Sequence, residues 1–324
     1  MTTVMVTGVG AIIGYGLLRS LRSARSDIRL IGTDIYPDAV GQVWCDAFEQ
    51  APYTASPCYL DWLQDTVQKH RVDLLFPGIE QDVHHFSAAR ERIGSFGCRV
   101  VLNRGPLIDL SRDKWAMHQE LATLGDDSII PSRLEGDYET LSQQFGLPFI
   151  LKPRRSYASK GLVRVRSRED FDAHKARLGE YLMAQPVIGT DDEEYTVAVF
   201  GDGEGNACSS ITLRRRLGQD GSTAKAWVCS IESLDRVASR LCAHFQPIGP
   251  TNLQFRRISE SWKLLEINPR ISSTTSIRTA FGYNEAAMSL AYFLEGQLPV
   301  QPAVRCGFAV RFIEDCVVYD RNHF

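Results

Sequence analysis

Nothing in the 324-residue chain is apolar for long enough to cross a bilayer. The longest apolar opening, Val4 to Leu18, is broken by Thr7, Gly8, Gly10, Gly14 and Gly16 and follows no basic segment, which argues against a membrane helix and an export signal alike. Charge of one sign is missing too. With 36 Lys+Arg against 39 Asp+Glu the net charge is −3, and no basic run is long enough to track a phosphate backbone, so no nucleic-acid partner is expected. The eight cysteines (45, 58, 98, 208, 229, 242, 306 and 316) form no CxxC pair; in a chain of this size they read as reduced, mostly buried thiols of a cytoplasmic protein. Internal repeats and low-complexity segments are also lacking. What is present, 44% hydrophobic and 23% charged residues, can fill two or three domain cores.

The first hundred residues alternate strand-like runs (Val4–Thr7, Ile28–Ile35, Val72–Phe76, Arg99–Leu102) with helical spacing at Ile12–Arg22, Leu60–Val67 and Phe86–Ile93. This alternation predicts a parallel sheet covered by helices, spanning residues 1–110. Ser111 is placed to cap a helix running through Lys114, Trp115 and Leu121 to Gly125, which opens a small α+β lobe over 111–188. There the 152–161 link is too short for a crossover helix, so its strands must be antiparallel. A third region, 189–324, reads as strands from Glu194, at 207–216 and at 224–230, a helix over 232–245, paired strands 251–257 and 262–268, and a last helix over 284–295.

The opening GVGAIIG places Gly8, Gly10 and Gly14 between a strand and a helix, with Asp34 at the end of the second strand. Such glycines let a pyrophosphate approach a helix N-terminus and such an acid can hold a ribose, which keeps a nicotinamide-dependent oxidoreductase as the alternative from another class. The spacing is G-x-G-x-x-x-G, however, and any tight strand–helix turn wants glycine. Adjacent His84 and His85 point about 100° apart on a helix and do not form a metal pair.

The sharper signal is TNLQFRRISESWKLLEINPR, residues 251–270. Strand alternation puts Asn252 and Gln254 on one face with Leu253 and Phe255 opposite, and Glu266 with Asn268 on one face with Leu265 and Ile267 entering the core. One carboxylate and carboxamides without lysine are hard oxygen ligands suited to Mg²⁺. Arg270 follows as a fork for phosphate or carboxylate.

On these residues the chain resembles the ATP-grasp superfamily, in particular carbamoyl phosphate synthetase large-chain domains and single-chain amino-acid ligases. Their N-x-Q-F strand followed by E-x-N-P-R is matched here by N-L-Q-F and E-I-N-P-R. The resemblance implies an ATP-grasp fold: an N-terminal Rossmann-like domain, a small central α+β lobe and a C-terminal antiparallel-sheet lobe. It also implies Gln254, Glu266 and Asn268 on the metal side and Arg270 at the transferring phosphoryl group. Lys152 in FILKPR and Lys114 in SRDKW look like the two phosphate-facing lysines. Ser159 and Gly161 in RRSYASKG keep the closing S-x-G of the family's flap, which is otherwise poor in glycine here. In AQPVIG, Gln185, Pro186 and Val187 correspond to the adenine hinge, and Glu194 to the ribose acceptor.

Arg214, Arg215 and Arg216 alternate along a strand, so Arg215 opposes the other two; Arg216 ranks first, being nearest the Gly221-Ser222-Thr223 loop, with Arg214 behind it. Glu80, beyond the strand VDLLFPGI, and Arg278 are candidate substrate contacts. The resemblance implies ATP, two Mg²⁺ ions (or Mn²⁺ in their place), small carboxylate and amine substrates and a symmetric homodimer. The implied reaction is amide or peptide bond formation through an acyl phosphate, releasing ADP and phosphate. A carboxyphosphate-type synthetase domain is the alternative within the superfamily, and a silent ATP-binding module a third reading.

Overall fold

A computed structural model describes residues 1–125, 127–155, 161–219 and 221–319. The N-terminal part is a parallel sheet of β1 (Thr3–Thr7), β2 (Arg29–Asp34), β3 (Ala47–Gln50), β4 (Leu74–Phe76) and β5 (Arg99–Val100), in the order β3-β2-β1-β4-β5. Helices α1 (Ile12–Ala24), α2 (Tyr59–His70), α3 (Glu80–Ala88) and α4 (Arg90–Gly94) alternate with it. The central strands β1, β2 and β4 are almost wholly buried because both faces are covered. β3 was not foreseen; it is a short, half-exposed edge strand with no continuous apolar run.

Helix α5 (Gly105–Ser111) precedes α6 (Lys114–Thr123). Ser111 therefore ends a helix, and the cap of the next is Asp113, whose carboxylate accepts from the Trp115 amide at 2.9 Å. Read from sequence as part of the central lobe, α6 instead buries Met117 and Leu121 against the large sheet, beside Tyr195, Leu253 and Phe255.

The small lobe consists of α7 (Tyr138–Phe145), β6 (Phe149–Pro153), β7 (Val163–Val165), α8 (Arg168–Asp172) and β8 (Leu182–Pro186), its antiparallel strands ordered β7-β6-β8. Leu141, Phe149, Leu151, Val165 and Phe171 form its separate core. The large antiparallel sheet runs β13-β12-β9-β10-β11-β14 and is built from β9 (Glu194–Asp202), β10 (Ala207–Leu217), β11 (Thr223–Cys229), β12 (Ile248–Ile258), β13 (Ser261–Asn268) and β14 (Phe308–Val310). Helix α9 (Glu232–Phe245) covers one face. Helices α10 (Thr275–Ala280) and α11 (Glu285–Glu295) lie against α1, with Ile271, Ala286 and Leu290 completing the core over β1 and β4. Among the described residues no helix is long and apolar enough to cross a membrane.

Candidate active site

The three parts converge on a cavity of about 560 Å³. Lys114 and Lys152 reach it from different elements that are stitched together at one point. The Lys114 amide donates to the Arg154 carbonyl at 3.0 Å, while the Arg154 guanidinium forks onto Asp113 at 2.7 and 3.2 Å. The acid that caps α6 thus also fixes the end of β6, and two lysines arrive on one side of the cleft. Burial pulls the Lys152 ammonium down to about 8, with Glu266 across the cleft opposing the shift. Its Nζ donates to the Leu265 carbonyl at 3.4 Å.

The floor is the β12–β13 hairpin. Register pairs Asn252 with Asn268 and Gln254 with Glu266, then slips by one residue so that Phe255 pairs with Leu264. This bulge corrects the expected alternation: Leu264, not Leu265, enters the core, while Leu265 faces the cleft beside Glu266. Gln254, Glu266 and Asn268 line the cavity as expected. Asn252 does not; it is 1% exposed and its Oδ1 accepts from Thr196 and Arg278.

These donors fit a hard divalent cation. Among the described residues no hydrogen bond or ion pair closes on the Glu266 carboxylate, and the carboxamide oxygens of Gln254 and Asn268, which accept from Arg215 at 2.7 Å and Arg270 at 3.2 Å, each keep a second lone pair. Oxygen-only ligation suits Mg²⁺ sharing its shell with phosphate and water. Among the described residues no cluster of three or more His, Cys, Asp and Glu offers a competing metal site.

The arginine ranking is corrected by register. Arg215 sits opposite Glu194 across β10 and β9 and points inward, donating to Glu194 at 2.8 Å and to Gln254. Burial lowers its pKa and Glu194 opposes that shift. Arg216 and Arg214 point away, to Asp192 on the surface. Glu194 lines the cavity but is clasped, one oxygen by Arg215 and the other by Arg256 at 2.9 Å. Sequence reasoning missed Arg256, although the same alternation that pairs Asn252 with Gln254 carries it, two residues on along a regular β12, to the cleft beside Gln254.

Gln185 and Pro186 line the cleft, Gln185 held by a 2.8 Å bond to Ser132; in place of Val187 the next apolar wall residue is Ile188. Gly161 adopts φ +78, which a side chain would strain; Ser159 lies outside the described residues. Arg278 is corrected outright: it is 0% exposed, pairs with Glu285 at 3.1 Å and never reaches the cavity.

Glu80 and Arg270 meet at the N-terminal wall. Arg270 Nε donates to Glu80 Oε2 at 2.7 Å, and His84 Nε2 lies 3.3 Å from Oε1. Burial pushes this carboxyl up, but Arg270 and His84 outweigh it and hold it at about 2. Glu80 is thus an ionised partner of Arg270 rather than an open amine site. The glycine turn nearby is filled by the protein itself. A Cβ on Gly14 would lie 2.1 Å from the Gly8 carbonyl and one on Gly78 2.0 Å from the Thr7 carbonyl, while both Asp34 oxygens accept backbone amides, from Gly10 at 2.7 Å and Tyr36 at 3.1 Å.

This architecture is the ATP-grasp fold. Residues 180–316 match the family described as ATP-grasp in the biosynthetic pathway with Ter operon. The chain is similar to a D-alanine–D-alanine ligase of Ralstonia nicotianae, 39% identical over 71 residues that make up 21% of either chain. It is also similar to the carbamoyl phosphate synthase large chain of Methanothrix thermoacetophila, 22% identical over 67% of this chain and 22% of that one. The match to these curated relatives thus spans about a fifth of their own length. Among solved structures, N5-carboxyaminoimidazole synthetase from Staphylococcus aureus superposes with a TM-score of 0.74 at 16% identity, over 94% of this chain and 80% of that one. Biotin carboxylase from Campylobacter jejuni, solved as a β-γ-ATP complex, gives 0.71 at 16% identity, over 95% and 74%.

Proposed function

We propose that the chain is an ATP-dependent carboxylate–amine ligase. The observation that carries this reading is the convergence, in one cavity, of Lys114 and Lys152 with Gln254, Glu266, Asn268 and Arg270. Repulsion between a carboxylate and a triphosphate is the barrier such a site must lower. Lys114 and Lys152 supply counter-charge to the phosphates, and Arg270, already holding a carboxylate in Glu80, is placed to receive the substrate's. Gln254, Glu266 and Asn268 would hold Mg²⁺, which neutralises phosphate charge when bound. The substrate carboxylate oxygen attacks the γ-phosphorus and ADP leaves. The amine then adds to the acyl carbon, phosphate departs with that oxygen, and the amine loses a proton. Enclosure between the two lobes keeps water from the acyl phosphate in the interval.

The class of ligand is tested by melting the protein with Mg·ATP and, separately, with NAD(H) and NADP(H). ATP raises the midpoint and the dinucleotides do not; the reverse would return the oxidoreductase reading. The reaction is tested with hydroxylamine in place of the amine and oxygen-18 in the substrate carboxylate. A hydroxamate, one ADP per hydroxamate and label in the phosphate are expected. AMP as product, or unlabelled phosphate, would rule out the acyl-phosphate route.

A further inference from the structure

A second recess, of about 470 Å³, opens where the links β5–α5 and α9–β12 meet. Its wall is apolar: Pro106 and Leu107 from the start of α5, Phe245 from the end of α9 and Ile248 from the start of β12. Two cations stand over that wall, Arg90 at the start of α4 and Arg104 directly before α5. Small-molecule pockets have this make-up, about 300–1,000 Å³ of mostly apolar lining with a few polar groups that fix orientation. None of these residues lines the ligase cleft.

The two guanidiniums are held but not neutralised. Arg90 donates to the Asn103 carbonyl at 2.5 Å and Arg104 to the Gln246 side-chain oxygen, both uncharged acceptors, and among the described residues neither forms an ion pair. Arg92, two residues further along α4, does close on a carboxylate, that of Asp61. Burial lowers the Arg90 pKa, and the charge of Asp109 opposes that shift without bonding to it. A guanidinium that sheds water without gaining an anion costs free energy, which an arriving carboxylate or phosphate recovers through charge-assisted bonds. One residue ties the two arginines to the apolar wall. Asn103, 2% exposed, takes Arg90 on its carbonyl, accepts the amides of Arg104 and Ile248 on its side-chain oxygen at 2.9 Å each, and donates to Thr251 at 2.7 Å.

We propose that this recess is a second ligand site, built for an organic acid: a carboxylate or phosphate received by Arg90 and Arg104, on an apolar body of one ring or a short chain that packs against Leu107, Phe245 and Ile248. Guanidinium forks match the oxygens of either headgroup, and the wall supplies the apolar area that a bare inorganic anion could not use. Such a ligand would bridge the N-terminal part and the large-sheet lobe. The site stands or falls independently of the proposed reaction, since it shares no residue with the cleft.

Isothermal titration of the full chain with phenyl phosphate and, separately, with phenylacetate tests the site and tells the two headgroups apart. At least one of them is expected to bind once per chain with a Kd of about 1 mM or tighter. Inorganic phosphate and benzyl alcohol, each carrying half of the recognised chemistry, bind at least about tenfold more weakly. Arg90→Gln and Arg104→Gln each weaken the bound acid at least about tenfold, while Lys152→Ala and Arg270→Ala in the cleft leave it unchanged. Arg90 is at the surface, so its variant keeps the test open even if loss of the Gln246 contact unfolds the other. No binding of either acid, binding that survives both glutamine substitutions or vanishes in the cleft variants, or inorganic phosphate held as tightly as phenyl phosphate would overturn the proposal.

Discussion

Arg270 and Arg278 lie on one short stretch of chain and each meets a glutamate, yet the two pairs behave oppositely. Arg278 and Glu285 are 0% and 1% exposed; there burial outweighs the arginine, and the Glu285 carboxyl is raised. Arg270 and Glu80 are 17% and 26% exposed, and there the arginine wins, holding Glu80 low. The difference is water. A pair sealed in the core can find partners only internally, as the two terminal nitrogens of Arg278 do in Glu285, Thr196 and Asn252 while its Nε stays without one, and it has no means of changing partner. A pair on a cavity wall can exchange its carboxylate for an arriving one.

The largest expected effect tests the sealed pair. Arg278→Met should cost about 3–5 kcal/mol in urea denaturation by stranding Glu285, and adding Glu285→Leu should recover most of it. A loss no greater than that of a surface change would erase the distinction between the two arginines. Next is Arg270→Ala, expected to lower turnover about 100-fold or more while its stability falls only by the about 1–3 kcal/mol of the pairing with Glu80, short of the loss in Arg278→Met. If it unfolds the protein instead, Arg270 belongs with Arg278.

The pH dependence sharpens the contrast. Glu80 falls from 4.5 unfolded to about 2 folded, so its ionised form stabilises the fold fully above pH 4.5, and that stabilisation disappears as pH drops toward 2. The native chain should therefore lose about 1–3 kcal/mol more than Arg270→Ala between pH 6 and 3, allowing for partial screening by solvent. Parallel curves for the two proteins would show that the arginine is not what holds Glu80 ionised.

Lys152 extends the comparison to a base. With its pKa near 8, it loses charge as pH rises through that value, and ATP should bind about tenfold more weakly at pH 9 than at pH 7. Lys152→Ala should flatten that profile under isothermal titration. The smallest effect is reserved for Arg216→Ala, whose surface contact with Asp192 should be worth no more than about 0.5 kcal/mol, with turnover unchanged. A turnover loss there matching that of Arg215→Ala would reverse the assignment of which arginine faces the cleft.

Much of this was legible from residue order. Strand and helix periods located α9 within a residue, and the N-Q-F and E-x-N-P-R residues fall on facing strands as their alternation demands. Parity along 214–216 correctly set one arginine against two, but which face turns inward depends on Glu194 lying opposite Arg215, and register between strands is not a local property. Leu265 failed for a related reason: a single bulge inverts alternation beyond it without any marker in composition. Glu80 and Arg270 were each named, but their pairing spans 190 positions and rests on tertiary folding alone.

The packing of α11 on the first sheet has a consequence for synthesis. Ala286 and Leu290 cover the face of β1 and β4, strands that leave the ribosome more than 200 residues earlier. At about 5–20 residues per second, that apolar face waits for ten seconds or more before the helix that seals it exists. Until then the nascent N-terminal unit presents Val4, Val6, Leu74 and Phe76 with part of their cover missing, and makes a client for any chaperone that reads exposed aliphatic surface. The order in which these units are made and the order in which they become whole are therefore different: the one that precedes the other two is among the last to close.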